Sequence, residues 1–146
     1  MPNQFNNQLA YFQGLLSESY EHEIQSIGDW EAIEPVFTDQ SAFQYNTLLD
    51  RGVIQLSLAG VWRVDVSATF QGSVNDNMEF CCNTQETGNL PPVKWNARGG
   101  NNWAISYATI FQIFNSDNAL TFYIRNTSAT DTINIPVGTF SAIKLY

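Results

Sequence analysis

From residue 30 onward, apolar and polar residues alternate along much of the chain with the two-residue period of a β-strand. The clearest stretch is residues 61–70, in which every second residue is apolar: Trp62, Val64, Val66, Ala68 and Phe70. Further strand candidates, separated by turn residues, are 32–38, 42–49, 52–58, 78–83, 103–114, 119–125, 132–136 and 138–146. Short strands with turn signals about every 8–12 residues are typical of an antiparallel sandwich or jelly roll. We therefore predict an all-β jelly-roll fold.

Residues 5–27 follow a different pattern, because their apolar positions are three or four residues apart. These positions are Phe5, Leu9, Phe12, Leu16, Tyr20, Ile24 and Ile27. That spacing predicts one face of a helix, which Gly14 interrupts and which ends near Gly28. We therefore divide the chain into a short, partly helical N-terminal arm, residues 1–28, and a jelly-roll domain, residues 29–146.

Residues 103–114 are apolar at both sets of alternating positions, so this strand is expected to be buried on both faces. The core of its own domain would cover one face, and a neighbouring subunit would cover the other. We expect aromatic side chains of this strand and of the C-terminal strand to lie in an interface between copies: Tyr107, Phe111, Phe140 and Tyr146.

The negative charge of the chain is confined to its first third. The 146 residues carry 14 acids and 6 bases, for a formal charge of −8. Residues 1–50 hold eight of the acids and none of the bases, so the remaining residues have no net charge. Two interpretations stay open: the acidic segment docks on a basic partner surface, or it is a solvated face that keeps the protein soluble. Nucleic acid is excluded as a partner, because phosphate binding requires clustered Lys and Arg.

The sequence contains no group of residues that points to an enzyme or to a metal site. The chain has one histidine, His22, and its two cysteines are the neighbours Cys81 and Cys82. A lone imidazole rarely forms a closed metal site, and adjacent cysteines form a disulfide only in a strained turn. We interpret Asp65 and Glu79 as a surface pair of acids on neighbouring strands rather than a catalytic dyad. We therefore predict no catalytic residue, no metal and no cofactor.

Neither a membrane span nor a secretory signal is apparent. No apolar run approaches the roughly 18 residues that a membrane helix needs. Residues 1–14 lack both the basic region and the compact apolar region of a secretory signal. We expect a protein made in a reducing compartment, with no membrane partner.

Two tryptophans, Trp95 and Trp103, flank the loop at residues 97–102, which is rich in glycine and asparagine. Exposed aromatic rings with amide side chains nearby can stack on sugar rings, so a glycan-binding tip is one interpretation. The simpler interpretation is that both side chains close the core or a subunit interface at the base of the loop.

Two segments resemble the jelly rolls of the C1q/TNF superfamily, in the versions found in bacteriophage structural proteins. They are residues 59–72, AGVWRVDVSATFQG, and the C-terminal strand at residues 138–146, GTFSAIKLY. In C1q-like domains the corresponding last strand ends at the trimer axis. Here Ala142 replaces the expected glycine, and Lys144 replaces an apolar residue. The resemblance implies a homotrimer and a role in a virion or another extracellular assembly.

These observations favour a non-enzymatic capsid decoration protein, a trimer that binds the major capsid protein and stabilises a phage capsid. Such a protein would be made in the host cytoplasm and would reside on the capsid surface of the virion. The arm would supply the capsid contact through Phe5, Leu9, Phe12 and Leu16. The alternative is a receptor- or glycan-binding tip domain of a phage fibre, with host glycan as the partner.

Overall fold

The computed structural model describes residues 11–33, 36–39, 54–56, 58–71, 76–96, 103–115 and 118–146. Within these ranges the chain forms eleven β-strands and no helix. The strands are β1 (Tyr11–Glu23), β2 (Glu31–Ile33), β3 (Val36–Asp39), β4 (Ile54–Leu56), β5 (Gly60–Gln71), β6 (Asn77–Thr84), β7 (Gly88–Asn89), β8 (Val93–Asn96), β9 (Trp103–Ile113), β10 (Asn118–Asn126) and β11 (Thr132–Lys144).

The strands form two antiparallel sheets. The first sheet has the order β3-β1-β11-β5-β9. The second sheet has the order β2-β10-β6-β7, with β4 also paired to β10 and β8 also paired to β6. Each sheet contributes one apolar face to a shared core. The predicted all-β antiparallel sandwich is confirmed.

The alternation along β5 explains how the core forms. The apolar residues of β5 that define the alternation are all at most 4% exposed: Trp62, Val64, Val66, Ala68 and Phe70. Phe70 meets Phe80 of the second sheet, with the ring centroids 6.2 Å apart. The Trp62 indole N–H donates a hydrogen bond of 3.0 Å to the carbonyl oxygen of Leu58, so the largest buried ring is also satisfied at its polar atom. Burying a large apolar side chain stabilises the fold by about 1.5–3 kcal/mol.

The predicted N-terminal helix is wrong, because Tyr11–Glu23 forms strand β1 between β3 and β11. β1 pairs with β11 along its length, with a register shift between Leu15 and Ser17. A spacing of four residues is an even number, so it places side chains on one face of a strand as well as on one face of a helix. Pairing with β11 decides in favour of the strand. The predicted arm, residues 1–28, therefore contains a strand of the sandwich, while residues 1–10 lie outside the described residues.

β9 is buried on one face rather than on both. Its core-facing residues Ile105, Tyr107, Phe111 and Ile113 are at most 8% exposed. Thr109, on the same face, is half-buried. The residues of the opposite face are all exposed, namely Ala104, Ser106, Ala108, Ile110 and Gln112. Among the described residues no second layer lies over this face, and its cover by a neighbouring subunit stays a prediction.

Four other predicted strands differ in their limits. Residues 132–136 and 138–146 form the single strand β11, whose pairing with β5 shifts between Asn134 and Val137. The stretch 32–38 is divided into β2 and β3, which belong to different sheets. Within the stretch 52–58 the described strand is β4, and the stretch 42–49 lies outside the described residues.

Candidate functional site

The first sheet has a face that points away from the core, which we call the outer face. Its members on β5, β9 and β11 include Val61, Arg63, Asp65, Ser67, Thr69, Ala104, Ser106, Ala108, Ile110, Gln112, Thr139, Ser141 and Ile143. Arg63 pairs with Ile110 on one side and with Ile143 on the other, so these three side chains form one row across the sheet. Ile110 is 61% exposed, which is unusual for a large aliphatic side chain on a sheet.

The C-terminus adds further apolar side chains beside this row. The Val61 N–H donates to the carbonyl oxygen of Tyr146 at 2.7 Å, and the Leu145 N–H donates to the carbonyl oxygen of Val61 at 2.7 Å. These bonds hold Leu145 and Tyr146 beside the start of β5, although both side chains are exposed. Phe114, at the end of β9, is 71% exposed. We call Ile110, Phe114, Ile143, Leu145 and Tyr146 the apolar end of the outer face.

The other part of the outer face is polar and concave. A cavity of about 290 Å³ is lined there by Asp65 and by four hydroxyl side chains, Ser67, Ser106, Thr139 and Ser141. Asp65 accepts two hydrogen bonds from Arg63, at 2.9 Å from Nε and 3.1 Å from Nη2. Both partners are about half exposed, so this pair contributes at most about 1 kcal/mol to stability.

Among the described strands, β9 forms an edge of the first sheet. Residues 103–115 contain no charged residue and no proline. Natural proteins usually protect a long sheet edge with lysine, proline or a bulge, because its unpaired backbone groups can bind another strand. An edge without such protection is typical of a surface that another chain covers.

The predicted interface residues divide into two groups. Tyr107, Phe111 and Phe140 are 2–6% exposed and lie in the core of a single protomer. Tyr107 meets Phe80 edge to face, with 5.5 Å between the ring centroids. Tyr146 lies at the apolar end, exposed. The role of all four in an interface between copies stays a prediction, and the exposed apolar residue of β9 that the sequence analysis missed is Ile110.

Trp95 and Trp103 lie beside the same core residue. The Trp95 ring packs against Phe70 with 5.2 Å between the centroids and an angle of 33° between the ring planes. Trp103 lies opposite Phe70 in the register of β5 and β9. Both side chains are half-buried against the core. The indole nitrogen of each is buried and has no hydrogen-bond partner in the structure. This arrangement agrees with closure of the core, while the loop at 97–102 lies outside the described residues.

The predicted capsid-contact residues are only partly placed. Phe5 and Leu9 lie outside the described residues, whereas Phe12 and Leu16 lie in β1. Their contact with a capsid stays a prediction.

The groups with catalytic or metal-binding potential serve structural roles. The His22 imidazole lies 3.1 Å from the Glu31 carboxylate, which also accepts the backbone N–H groups of Gln25 and Ser26. This network holds the turn between β1 and β2. In the described ranges no group of three or more His, Cys, Asp or Glu side chains could hold a metal ion. Nor is any helix in those ranges long and apolar enough to cross a membrane.

Both cysteines are free and buried. Burial raises the pKa of the Cys81 thiol to about 11 and holds that of Cys82 well above its ordinary value. Thiols in this state are weak nucleophiles at neutral pH. The interpretation of Asp65 and Glu79 as neighbours is wrong, because Asp65 lies on the first sheet and Glu79 on the second.

Comparison with known proteins identifies the fold. No family model and no curated protein sequence matches the chain. Eiger TNF from S. frugiperda matches 94% of the chain with 16% identity and a TM-score of 0.61, over 92% of its own length. The globular domain of the zebrafish complement 1qA protein matches 94% with 12% identity and a TM-score of 0.54, over 98% of its own length. A chain of the T13 IBDV viral particle matches 94% with 8% identity and a TM-score of 0.63, over 31% of its own length. The fold is a TNF/C1q-like jelly roll.

Proposed function

We propose that this chain is a non-enzymatic structural protein that acts as a homotrimer on a virus particle. The observation that carries the proposal is the apolar end of the outer face, together with the uncharged edge strand β9. A contiguous exposed apolar patch on a sheet face marks an interaction surface. Burial of Ile110, which is 61% exposed, and of Phe114, which is 71% exposed, would remove apolar area from water and so favour association.

A second copy of the chain is the partner that fits this surface. On β5, β9 and β11 the charged residues of the outer face are Arg63 and Asp65, which pair with each other and leave this part of the face without net charge to repel a copy. Closed assembly of identical copies also removes the exposed edge of β9. The resemblance to C1q/TNF jelly rolls supports three copies rather than two.

On the virus particle, the proposed role is decoration of the capsid surface. The resemblance to phage structural proteins and the likeness to a chain of a viral particle support it. The acidic first third of the chain is suited to a basic patch on the major capsid protein. A protein that binds only the assembled shell stabilises that shell by its difference in affinity for the two states.

Two measurements test the proposal. Sedimentation equilibrium should give the mass of three copies, and a monomer at high concentration would overturn the trimer. The purified chain should co-sediment with expanded empty capsids of the phage that encodes it, and it should not bind host cells. Binding to host cells without capsid binding would favour the receptor-binding tip.

The receptor- or glycan-binding alternative is supported by one observation, a cleft beside Trp95 in the second sheet. The cleft and the apolar end lie on different sheets, so ligand binding and self-association are compatible in one molecule.

A further inference from the structure

Between β9 and β10 the chain crosses from the first sheet to the second, and the start of this crossover lies beyond the described strand pairing. The pairing of β9 with β5 ends at Ile113, opposite Gly60. β10 begins at Asn118, in the other sheet. The backbone N–H groups of Phe114 and Asn115, which follow β9, therefore need acceptors from outside the two sheets.

The Glu86 carboxylate supplies these acceptors from the turn between β6 and β7. The Phe114 N–H donates to both of its oxygens, at 2.9 Å to Oε1 and 3.0 Å to Oε2. The Asn115 N–H donates to Oε2 at 3.3 Å. Hydrogen bonds to an ionised carboxylate are roughly twice as strong as those between neutral groups. Glu86 thus ties the crossover to a turn that is distant in sequence.

Asn118, which is 4% exposed, holds Glu86 in this position. Its Nδ2 donates to Glu86 Oε2 at 3.0 Å and to the carbonyl oxygen of Asn115 at 2.8 Å. Its Oδ1 accepts the backbone N–H of Glu86 at 3.1 Å. The turn itself is fixed by the Thr84 hydroxyl, which accepts the N–H of Thr87 at 3.0 Å. We call the hydrogen bonds of Glu86 to the crossover and to Asn118 the Glu86 clamp.

The Glu86 clamp fixes the backbone beneath a side chain that the protomer leaves in water. Phe114 is 71% exposed, more than any other large hydrophobic side chain among the described residues. Gly60 pairs with Ile113, and Val61 binds the backbone of Tyr146, so Phe114 and Tyr146 lie at the same end of the first sheet. An exposed ring adds little to the core of its own protomer. A fixed backbone, however, lowers the entropy that is lost when the ring enters a partner.

We propose that Phe114 is a preorganised anchor of the contact between copies and that Glu86 is its positioning residue. This inference rests on the proposed homotrimer. The partner is a second copy, because Phe114 belongs to the apolar end, through which the copies are proposed to associate. Aromatic anchors that enter a neighbour carry a large share of the affinity of an interface. A purely structural Glu86 would stabilise the protomer alone, so the two roles differ in whether the effect of Glu86 depends on the Phe114 ring.

A double-mutant cycle on the full-length protein tests the proposal, with the concentration at which the trimer dissociates measured by sedimentation equilibrium. We expect Phe114→Ala to raise this concentration at least about tenfold, since it removes the anchor. Glu86→Ala should raise it about three- to tenfold, since it removes the clamp and keeps the ring. In the Phe114→Ala background, Glu86→Ala should change it by less than about twofold, because the clamp then positions no ring.

Glu23→Ala is the matched control for the loss of one exposed carboxylate. Glu23 pairs with Thr132 at the end of β1, whereas Tyr11 at the other end of β1 pairs with Ile143 of the apolar end. The control should dissociate like the wild type.

A second measurement reports on the clamp itself. In Ile110→Asp, which we expect to be monomeric, Glu86→Ala should speed amide hydrogen exchange at Phe114 and Asn115 at least about tenfold and change exchange within β5 little. If Glu86→Ala does not fold, Glu86→Gln, which removes the charge and keeps one carbonyl oxygen as acceptor, replaces it in both measurements.

The outcomes separate this inference from the proposed homotrimer. If the wild type is a trimer and Glu86→Ala dissociates like it, the positioning role is wrong and the trimer stands. The same holds if the effects of Glu86→Ala and Phe114→Ala are additive, because Glu86 then acts independently of the ring. A wild type that is a monomer at high concentration overturns both proposals.

Discussion

The backbone N–H of Cys82 on β6 donates a hydrogen bond of 3.4 Å to the hydroxyl of Tyr107 on β9, and this contact joins the two sheets across the core. The carbonyl oxygen of Cys82 accepts a hydrogen bond from Leu90 at 2.9 Å. The Tyr107 hydroxyl thus satisfies the N–H group that the short neighbouring strands β7 and β8 leave unpaired, and Tyr107 serves as a polar link within one protomer.

We expect Tyr107→Phe to destabilise the fold by about 1 kcal/mol, because it leaves the buried N–H of Cys82 without an acceptor. This loss of stability lies at the low end of the range that is usual for a buried group without a hydrogen-bond partner, because the bond that is removed is long. Urea denaturation measures the change. Tyr123→Phe on β10, where the ring is half-buried, is the control and should change stability by less than about 0.5 kcal/mol. If the wild type and Tyr107→Phe are equally stable, the proposed structural role of the Tyr107 hydroxyl is wrong.

Stability should fall as the solution becomes alkaline. Burial, followed by the neighbouring Cys82, raises the pKa of Tyr107 from 10.0 to about 12. Burial raises the pKa of Cys81 from 9.0 to about 11. Between pH 9 and 12 the folded protein therefore holds protons that the unfolded chain has lost, so unfolding becomes easier as pH rises. Denaturation midpoints measured across this window should decrease, and the decrease should be smaller in a Tyr107→Phe, Cys81→Ala double variant.

Asp76 gives a second pH dependence, on the acid side. Burial and a hydrogen bond with Asp131 raise the pKa of Asp76 above its ordinary 3.8, while Asn126 donates to it at 3.0 Å. The protonated form is therefore favoured in the folded state, and its stabilising effect is lost as pH rises through the folded pKa. Asp76→Asn imitates the protonated form. We expect this variant to gain stability relative to wild type as pH rises from about 4 to 7, and a constant difference between the two would contradict the assignment.

The sandwich was predictable because one strand encodes its burial directly in the alternation of residues. In β5 each apolar position from Trp62 to Phe70 faces the core. β1 was not predictable, because its spacing of four residues fits a helix and a strand equally, and only the pairing with the distant β11 resolves it. The local residue pattern determines the type of secondary structure when one face of the element is buried. Otherwise long-range pairing determines it.

The candidate site was only partly predictable for a related reason. A sequence shows that residues 103–114 are apolar, but the face on which each side chain lies depends on register. Tyr107 and Ile110 differ by three positions, so they lie on opposite faces, one buried and one exposed. The cleft at Glu79 and Trp95 depends on the pairing of β6 with β8, which no spacing in the sequence indicates.

Gly60 is a position where we expect a single methyl group to be destabilising. Its φ of +147° is a conformation that other residues rarely adopt, and an added Cβ would lie 2.5 Å from the carbonyl oxygen of Tyr146. Gly60→Ala should lower stability by about 1–3 kcal/mol, since it strains the backbone and disturbs the docked C-terminus. Thermal denaturation measures this, with Ala59→Ser at the neighbouring exposed position as the control. A neutral Gly60→Ala would show that the C-terminal residues contribute little to the fold.

Ile110→Asp should convert the proposed trimer into a monomer without unfolding it. Ile110 is 61% exposed in the protomer, so the aspartate is solvated there, whereas desolvation of its charge in an assembled interface would cost several kcal/mol. Ile27→Asp is the matched control, because Ile27 is similarly exposed, at 56%, but lies in the turn between β1 and β2. We expect light scattering to report the mass of one chain for Ile110→Asp and of three chains for Ile27→Asp, with unchanged circular dichroism for both. If Ile110→Asp remains a trimer, the contact between copies lies on another surface. If the wild type is a monomer, the proposed trimer is wrong.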